Sequence, residues 1–190
     1  MRRTGVMALR KGALVNATIA EIGREGSLDV TVGQIAKAAG VSSALAHHYF
    51  GSKEELFLAA MRAILSGFGT EARVRLATAK TPEARLRAIV EASFAPQNFQ
   101  PHVISAWLNF YVMAQHVPAA NRLLRVYQRR LAANLTHALR ALSPSPEATA
   151  ATAAALIDGL YIRHALADAG APDSATAAAR VMDYLKVAIR

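Results

Sequence analysis

TVGQIAKAAGVSSALAHHYF, residues Thr31 to Phe50, is the stretch whose reading decides the fold. Val32, Ile35, Ala36 and Ala39 recur at i, i+3, i+4 and i+7, the spacing of one apolar helix face. Thr31 stands before them as an N-cap, and Gln34 three residues later completes a capping box. Gly40 supplies the left-handed residue that stops this helix. Val41 anchors the turn, and Ser42 caps a second short helix that ends near Phe50. Two short helices joined by a tight glycine-containing turn make a helix-turn-helix, whose second helix is shaped to enter a major groove. Helical hairpins that never touch DNA share these caps, so the flanking residues carry the decision.

Downstream, Gly51 ends the second helix and Ser52 answers Glu55 in another capping box. A third helix therefore begins at Lys53 and sets a cation at the DNA-facing end of the unit. Upstream, a helix from near Ala8 to Glu25 carries Val15, Ile19 and Ile22 on one face and stops at Gly26. Leu28 and Val30 tuck beneath it, so residues 1–52 read as a three-helix DNA-binding head. Arg2, Arg3, Arg10 and Lys11 are expected to form a mobile basic arm ahead of the first helix, suited to phosphate contact.

Residues 53–190 read as a six-helix body for effector binding and dimerisation, which makes the chain all-α. A long helix leaves the head through Leu56, Phe57, Ala60, Met61 and Ile64, with a bend expected near Gly67 or Gly69. Thr81-Pro82-Glu83 opens the next helix, with proline at its first position. Further helices are predicted from about Val103 to His116, from Pro118 to Leu142, from Glu147 to Asp168 and from Ser174 to Ile189. Ser143-Pro144-Ser145-Pro146 breaks the chain before the last two. On those two, Ala148, Ala151, Ala154 and Ala155 allow close approach, and Leu156, Leu160, Val181, Leu185 and Ile189 supply apolar contacts. Two copies of this pair form either a four-helix homodimer interface or ordinary packing within one chain.

Composition narrows the function. The 190 residues are 53% hydrophobic but only 6% aromatic, as expected of an Ala/Leu-rich helical protein with a real core. Net charge is +9, which favours an anionic partner. Only part of that sits in the head and the start of the long helix after it, where residues 1–62 carry eight Lys/Arg against five Asp/Glu. Arg122, Arg125, Arg129 and Arg130 lie far along the chain and read as a solvated face. No cysteine is present, which excludes disulfides, cysteine-bearing zinc fingers and a catalytic thiol. No apolar run spans a membrane and no secretory leader is recognised, so a cytoplasmic protein is expected. Nucleophile elbow, phosphate loop and metal-spaced His/Glu set are all missing, so an enzyme is not expected and no cofactor is implied. His47 and His48 are adjacent on a helix with no third ligand near in sequence, which argues against a metal site.

In the recognition helix, Ser42, Ser43, Leu45, His47, His48 and Tyr49 project outward, while Ala46 and Phe50 read as packing. No Arg, Asn or Gln occurs between Ser42 and Phe50, so bidentate base readout is limited. Contacts to thymine methyls and DNA shape are left to set sequence choice. In the body, Trp107, Phe110, Tyr111 and Ala114 share one helix face. Tyr127 lies in the next helix, and Asp158 and Tyr161 in the one after. The bland reading is core. The sharper one is a quaternary-ammonium site, since aromatic faces plus one carboxylate are what such a cation requires.

The run from Ala39 to Leu56, including His48-Tyr49-Phe50-Gly51-Ser52-Lys53, resembles the DNA-binding domain of TetR-type transcriptional repressors. That resemblance implies phosphate contacts for Thr31, His48, Tyr49 and Lys53, with Ser43, Leu45 and His47 nearer the bases. It also implies a homodimer on an inverted-repeat operator in double-stranded DNA. The segments AWLNFY (Ala106 to Tyr111), RVYQRRL (Arg125 to Leu131) and ALIDGLYIR (Ala155 to Arg163) resemble the choline-responsive BetI subgroup. Tyr111 and Tyr161 stand where tryptophan is common there, and Tyr127 also departs from the pattern. This resemblance implies choline as effector and control of glycine-betaine synthesis or choline uptake genes. The proposed cage is Trp107, Tyr111, Tyr127 and Tyr161, with Asp158 as the charge; Asp158 is alternatively structural or interfacial. The competing readings are a TetR-type repressor sensing another cationic or amphipathic molecule, and a basic helical protein at a membrane surface.

Overall fold

The computed structural model describes residues 2–167 and 173–189, with side chains from residue 5 onward. Among the described residues the secondary structure is helical throughout: α1 (Arg2–Glu25), α2 (Val32–Ala38), α3 (Ser43–Phe50), α4 (Lys53–Thr78), α5 (Pro82–Ser93), α6 (Pro101–His116), α7 (Pro118–Leu139), α8 (Pro146–Ala165) and α9 (Ser174–Ala188). Each local signal has a visible cause. Thr81 and Asp173 cap α5 and α9 through the N–H groups of Ala84 and Thr176. Pro82, Pro101, Pro118 and Pro146 each open a helix, where the missing N–H costs nothing.

Packing divides the chain into two compact units, residues 1–64 with 101–123, and residues 65–100 with 124–190. In the first unit, α1 packs on α2 and α6, and α2 packs on α3. Its core is Leu14, Ile22, Val30, Ile35, Ala36, Ala46, Leu56, Met61 and Ile104, all essentially inaccessible to solvent. Val15 and Ile19, expected on the buried face of α1, are only half-buried; the inward stripe is one position round, at Leu14, Ala17, Thr18 and Ile22. In the second unit, α9 packs on α5 and α8. Leu160, Val181 and Leu185 are buried there within the chain, so they do not form a face for a second copy.

Three further expectations change. α1 begins at Arg2, so the basic residues expected as a mobile arm belong to the helix itself. α4 is a single helix of 26 residues through Gly67 and Gly69. α7 closes at Leu139 rather than Leu142, with Leu142 and Ser143 donating back to the Leu139 carbonyl. Asp168, the expected end of α8, lies outside the described residues.

Candidate DNA interface and effector site

The helix-turn-helix is built by its caps. The Gln34 N–H donates to Thr31 Oγ1 at 3.2 Å, and the Thr31 N–H donates to Gln34 Oε1 at 2.8 Å, closing the capping box. The Thr31 hydroxyl also donates to Gln34 Oε1, at 2.7 Å. A phosphate accepting from Thr31 must therefore displace the Gln34 carboxamide. Gly40, at φ +67°, ends α2; its N–H reaches the Lys37 carbonyl while Val41 N–H reaches that of Ala36. Ser42 then accepts from the Leu45 N–H at 3.2 Å and starts α3. Gly51, at φ +76°, closes α3, and Ser52 accepts from the Glu55 N–H to start α4.

These devices leave a definite set of side chains at the surface. Thr31, Ser42, Ser43, His47 and His48 are exposed; Leu45, Tyr49 and Lys53 are half-buried. Thr31 Oγ1 and Ser43 Oγ both lie within 4 Å of the position a Cβ would take on Gly33, so the two hydroxyls converge across the α2–α3 corner. His47 Nδ1 is 3.4 Å from the Gly51 carbonyl, a contact open to the tautomer protonated at Nδ1. The His48 and Tyr49 rings sit side by side with centroids 5.6 Å apart. Lys53 lays its stem along the protein, with Nζ 5.3 Å from the centroid of the buried Phe57 ring. The starts of α2 and α3, with a lysine at the start of α4, form a surface suited to phosphate.

Sequence reading passed over one residue here and misplaced another. Ala44 is exposed on α3 and offers a methyl group at its surface. Lys11 leaves the expected arm and reaches the end of the recognition helix, with Nζ 5.7 Å from the Tyr49 ring and 5.9 Å from that of Phe50. The tyrosine and phenylalanine were legible; that α1 would deliver a cation to them was not.

The aromatic candidates for the effector site fall in both units. In the first, Trp107 and Tyr111 lie on α6 with rings edge-to-face and centroids 5.1 Å apart. Trp107 is buried and Tyr111 half-buried, while Phe110 is wholly inside, as its packing role requires. In the second, Tyr127 on α7 and Asp158 and Tyr161 on α8 join a cluster that also contains Phe68, Phe94 and Phe99. Phe68 is 5.8 Å from Tyr127 and 6.2 Å from Tyr161, between centroids. Phe94 stacks on one face of Tyr161 at 5.6 Å, and the Tyr161 hydroxyl donates to the Ser93 carbonyl. That ring is thus held in one orientation. Burial, and then the negative charge of Asp158, push the Tyr127 phenol above its ordinary pKa. Phe68 was not singled out from sequence, although it continues the apolar stripe of Phe57, Met61 and Ile64 along α4.

Among the described residues, no three His, Asp or Glu side chains group as metal ligands, and no helix is long and apolar enough to cross a membrane.

Comparison with known proteins agrees with this architecture. Residues 14–60 match the family of bacterial regulatory proteins of the tetR type, and residues 82–190 match the C-terminal domain of BetI-type transcriptional repressors. The HTH-type transcriptional regulator BetI of Brucella abortus (strain 2308) is 50% identical over 189 residues, covering 98% of this chain and 95% of the relative. That of Agrobacterium fabrum is 46% identical, covering 100% and 93%. Among solved structures, a putative transcriptional regulator from Pseudomonas aeruginosa PAO1 superposes with a TM-score of 0.80 at 26% identity, covering 93% of this chain and 88% of its own. A putative regulator from Saccharomonospora viridis, solved in complex with choline, gives 0.79 at 21% identity, with 93% and 95% covered. Helix-turn-helix head, all-helical body and relatives along nearly the whole length converge: the chain belongs to the TetR family, as a DNA-binding transcriptional repressor with a BetI-type C-terminal domain, and it is not an enzyme.

Proposed function

We propose that two copies of the chain bind an inverted-repeat operator and release it when choline, or a close quaternary ammonium, occupies the body. The observation that carries the effector reading is the aromatic cluster of the second unit, where the charge of Asp158 is felt at the Tyr127 hydroxyl. A quaternary nitrogen has no hydrogen to donate, so a receptor must offer ring faces and a negative charge. Tyr127 and Asp158 are the proposed contacts of that unit, with Phe68 beside them and Tyr161 as a wall. Trp107 and Tyr111 are proposed as a second contact set, to be tested by their own variants. The BetI relatives support this reading, and the choline complex of Saccharomonospora viridis is one case of this fold housing that cation.

At the head, Thr31, His48, Tyr49 and Lys53 are proposed to hold phosphates, with Ser42, Ser43, Leu45 and His47 nearer the bases. The protein acts in the cytoplasm on genes for glycine-betaine synthesis or choline uptake. Phe94 covers one face of Tyr161, and this favours as second reading a smaller or differently shaped cationic effector. Calorimetry with choline, glycine betaine and the uncharged isostere 3,3-dimethylbutanol tests the proposal. Choline is expected to bind and the isostere not. Equal binding of the isostere overturns the cation reading, and absence of choline binding overturns choline itself.

A further inference from the structure

We propose that Lys11 is a positioning residue for DNA recognition, its ammonium pinning the C-terminal end of α3 to α1 and fixing the approach of Tyr49 to DNA. Four observations lead there. Nζ of Lys11 lies against two consecutive rings, at 5.7 Å from Tyr49 and 5.9 Å from Phe50. Lys11 is half-buried, whereas its neighbour Arg10 is exposed. Tyr49 and Phe50 are the last two residues of α3, where the carbonyl ends of the helix favour a cation. Tyr49 itself is only half-buried, so part of its side chain stays open to solvent beside the exposed His48.

The chemistry follows. α3 has only eight residues, and its sole buried residue is Ala46, so its own core contact holds it weakly. A second tether at the far end removes the freedom to rock about Ala46. The ammonium is attracted to both ring faces within the range where cation–π contacts count. Through them it holds the phenol edge, which places Tyr49 without itself requiring contact with phosphate. An ordinary phosphate lysine behaves differently, since it releases one counterion on binding and so steepens the salt dependence.

The test measures affinity for a duplex selected from a random pool against the wild-type dimer, and for a scrambled duplex, across a range of salt. The proteins are wild type, Lys11→Met, Lys11→Arg, Tyr49→Leu and the double variant Lys11→Met/Tyr49→Leu. Lys11→Met is expected to weaken the selected duplex about five- to tenfold, with the salt slope unchanged. Lys11→Arg should restore most of the loss, because a guanidinium also sits over rings. In the Tyr49→Leu background the Lys11→Met effect should shrink to about twofold or less. A salt slope reduced by about one, with equal loss on scrambled DNA, makes Lys11 a phosphate contact and overturns the proposal. Additive losses in the double variant overturn it too, as does a fall in melting temperature with affinity unaltered.

Discussion

Gly23 of α1 and His102 at the start of α6 meet backbone to backbone: a Cβ on Gly23 would lie 2.6 Å from the His102 Cα and closer still to its carbonyl oxygen. Only a glycine lets the two helices approach so far. The consequence reaches the proposed contacts Trp107 and Tyr111, because α6 carries both and packs on α1. Gly23→Ala should gain up to about 1 kcal/mol of helix propensity and lose about 1–3 kcal/mol to overpacking against rigid backbone. Net destabilisation in urea unfolding is the expected outcome. Gly12→Ala on the same helix meets nothing within 4 Å and should stabilise by about 0.5–1 kcal/mol, which separates the two effects.

Lys53→Ala should weaken binding to every duplex alike and lower the slope of log K against log salt by about one, the signature of a lost phosphate contact. His47→Ala, by contrast, should relax sequence preference more than it lowers non-specific affinity. Titrations on selected and scrambled DNA at several salt concentrations read both. An unchanged slope for Lys53→Ala would remove it from the phosphate set.

Tyr127 offers an internal probe of Asp158. Its folded pKa is raised, so the phenol stays neutral in the folded chain at pH values where the unfolded chain ionises, above about 10. The stabilisation this gives is fully present below that pH and is lost as pH rises through the folded value. Asp158→Asn removes the charge and should bring the Tyr127 transition down, seen in tyrosinate absorbance against a Tyr127→Phe blank. A transition that does not move would mean that burial alone sets it.

The last helices still carry exposed apolar residues after the chain has folded: Leu156, Ile162 and Leu166 on and just beyond α8, and Val187 on α9. If the homodimer forms there, Ile162→Glu or Leu166→Glu should shift the protein to monomer in sedimentation while leaving its helix content intact. Val74→Glu, equally exposed but on α4, should not. A dimer that survives both substitutions places the interface elsewhere.

Effector and operator must also be linked if one releases the other. Choline affinity should fall when the selected duplex is present, by the same factor by which choline lowers operator affinity. Identical choline affinity with and without DNA would refute induction even if choline binds.

What the sequence determined by itself was local. Thr31 and Gln34, Gly40, Ser42 and Gly51 act within a few residues of themselves, so caps, turn and recognition helix follow from order along the chain. The family resemblance was legible for the same reason, being carried by contiguous runs. What only the tertiary structure decided depends on residues far apart in sequence. Periodicity placed Leu160, Val181 and Leu185 on apolar faces, yet could not say whether the cover was the same chain or a second copy; packing of α9 on α8 and α5 answered that. Nothing local about Gly23 announces that His102 will press on it. Phe68 is an ordinary stripe residue until Tyr127 and Tyr161 arrive from α7 and α8. Lys11 looked like part of a loose arm because a basic N-terminus carries no helix signal of its own. Continuation of α1 to Arg2 turned that arm into helix, and its turn brought the ammonium over Tyr49.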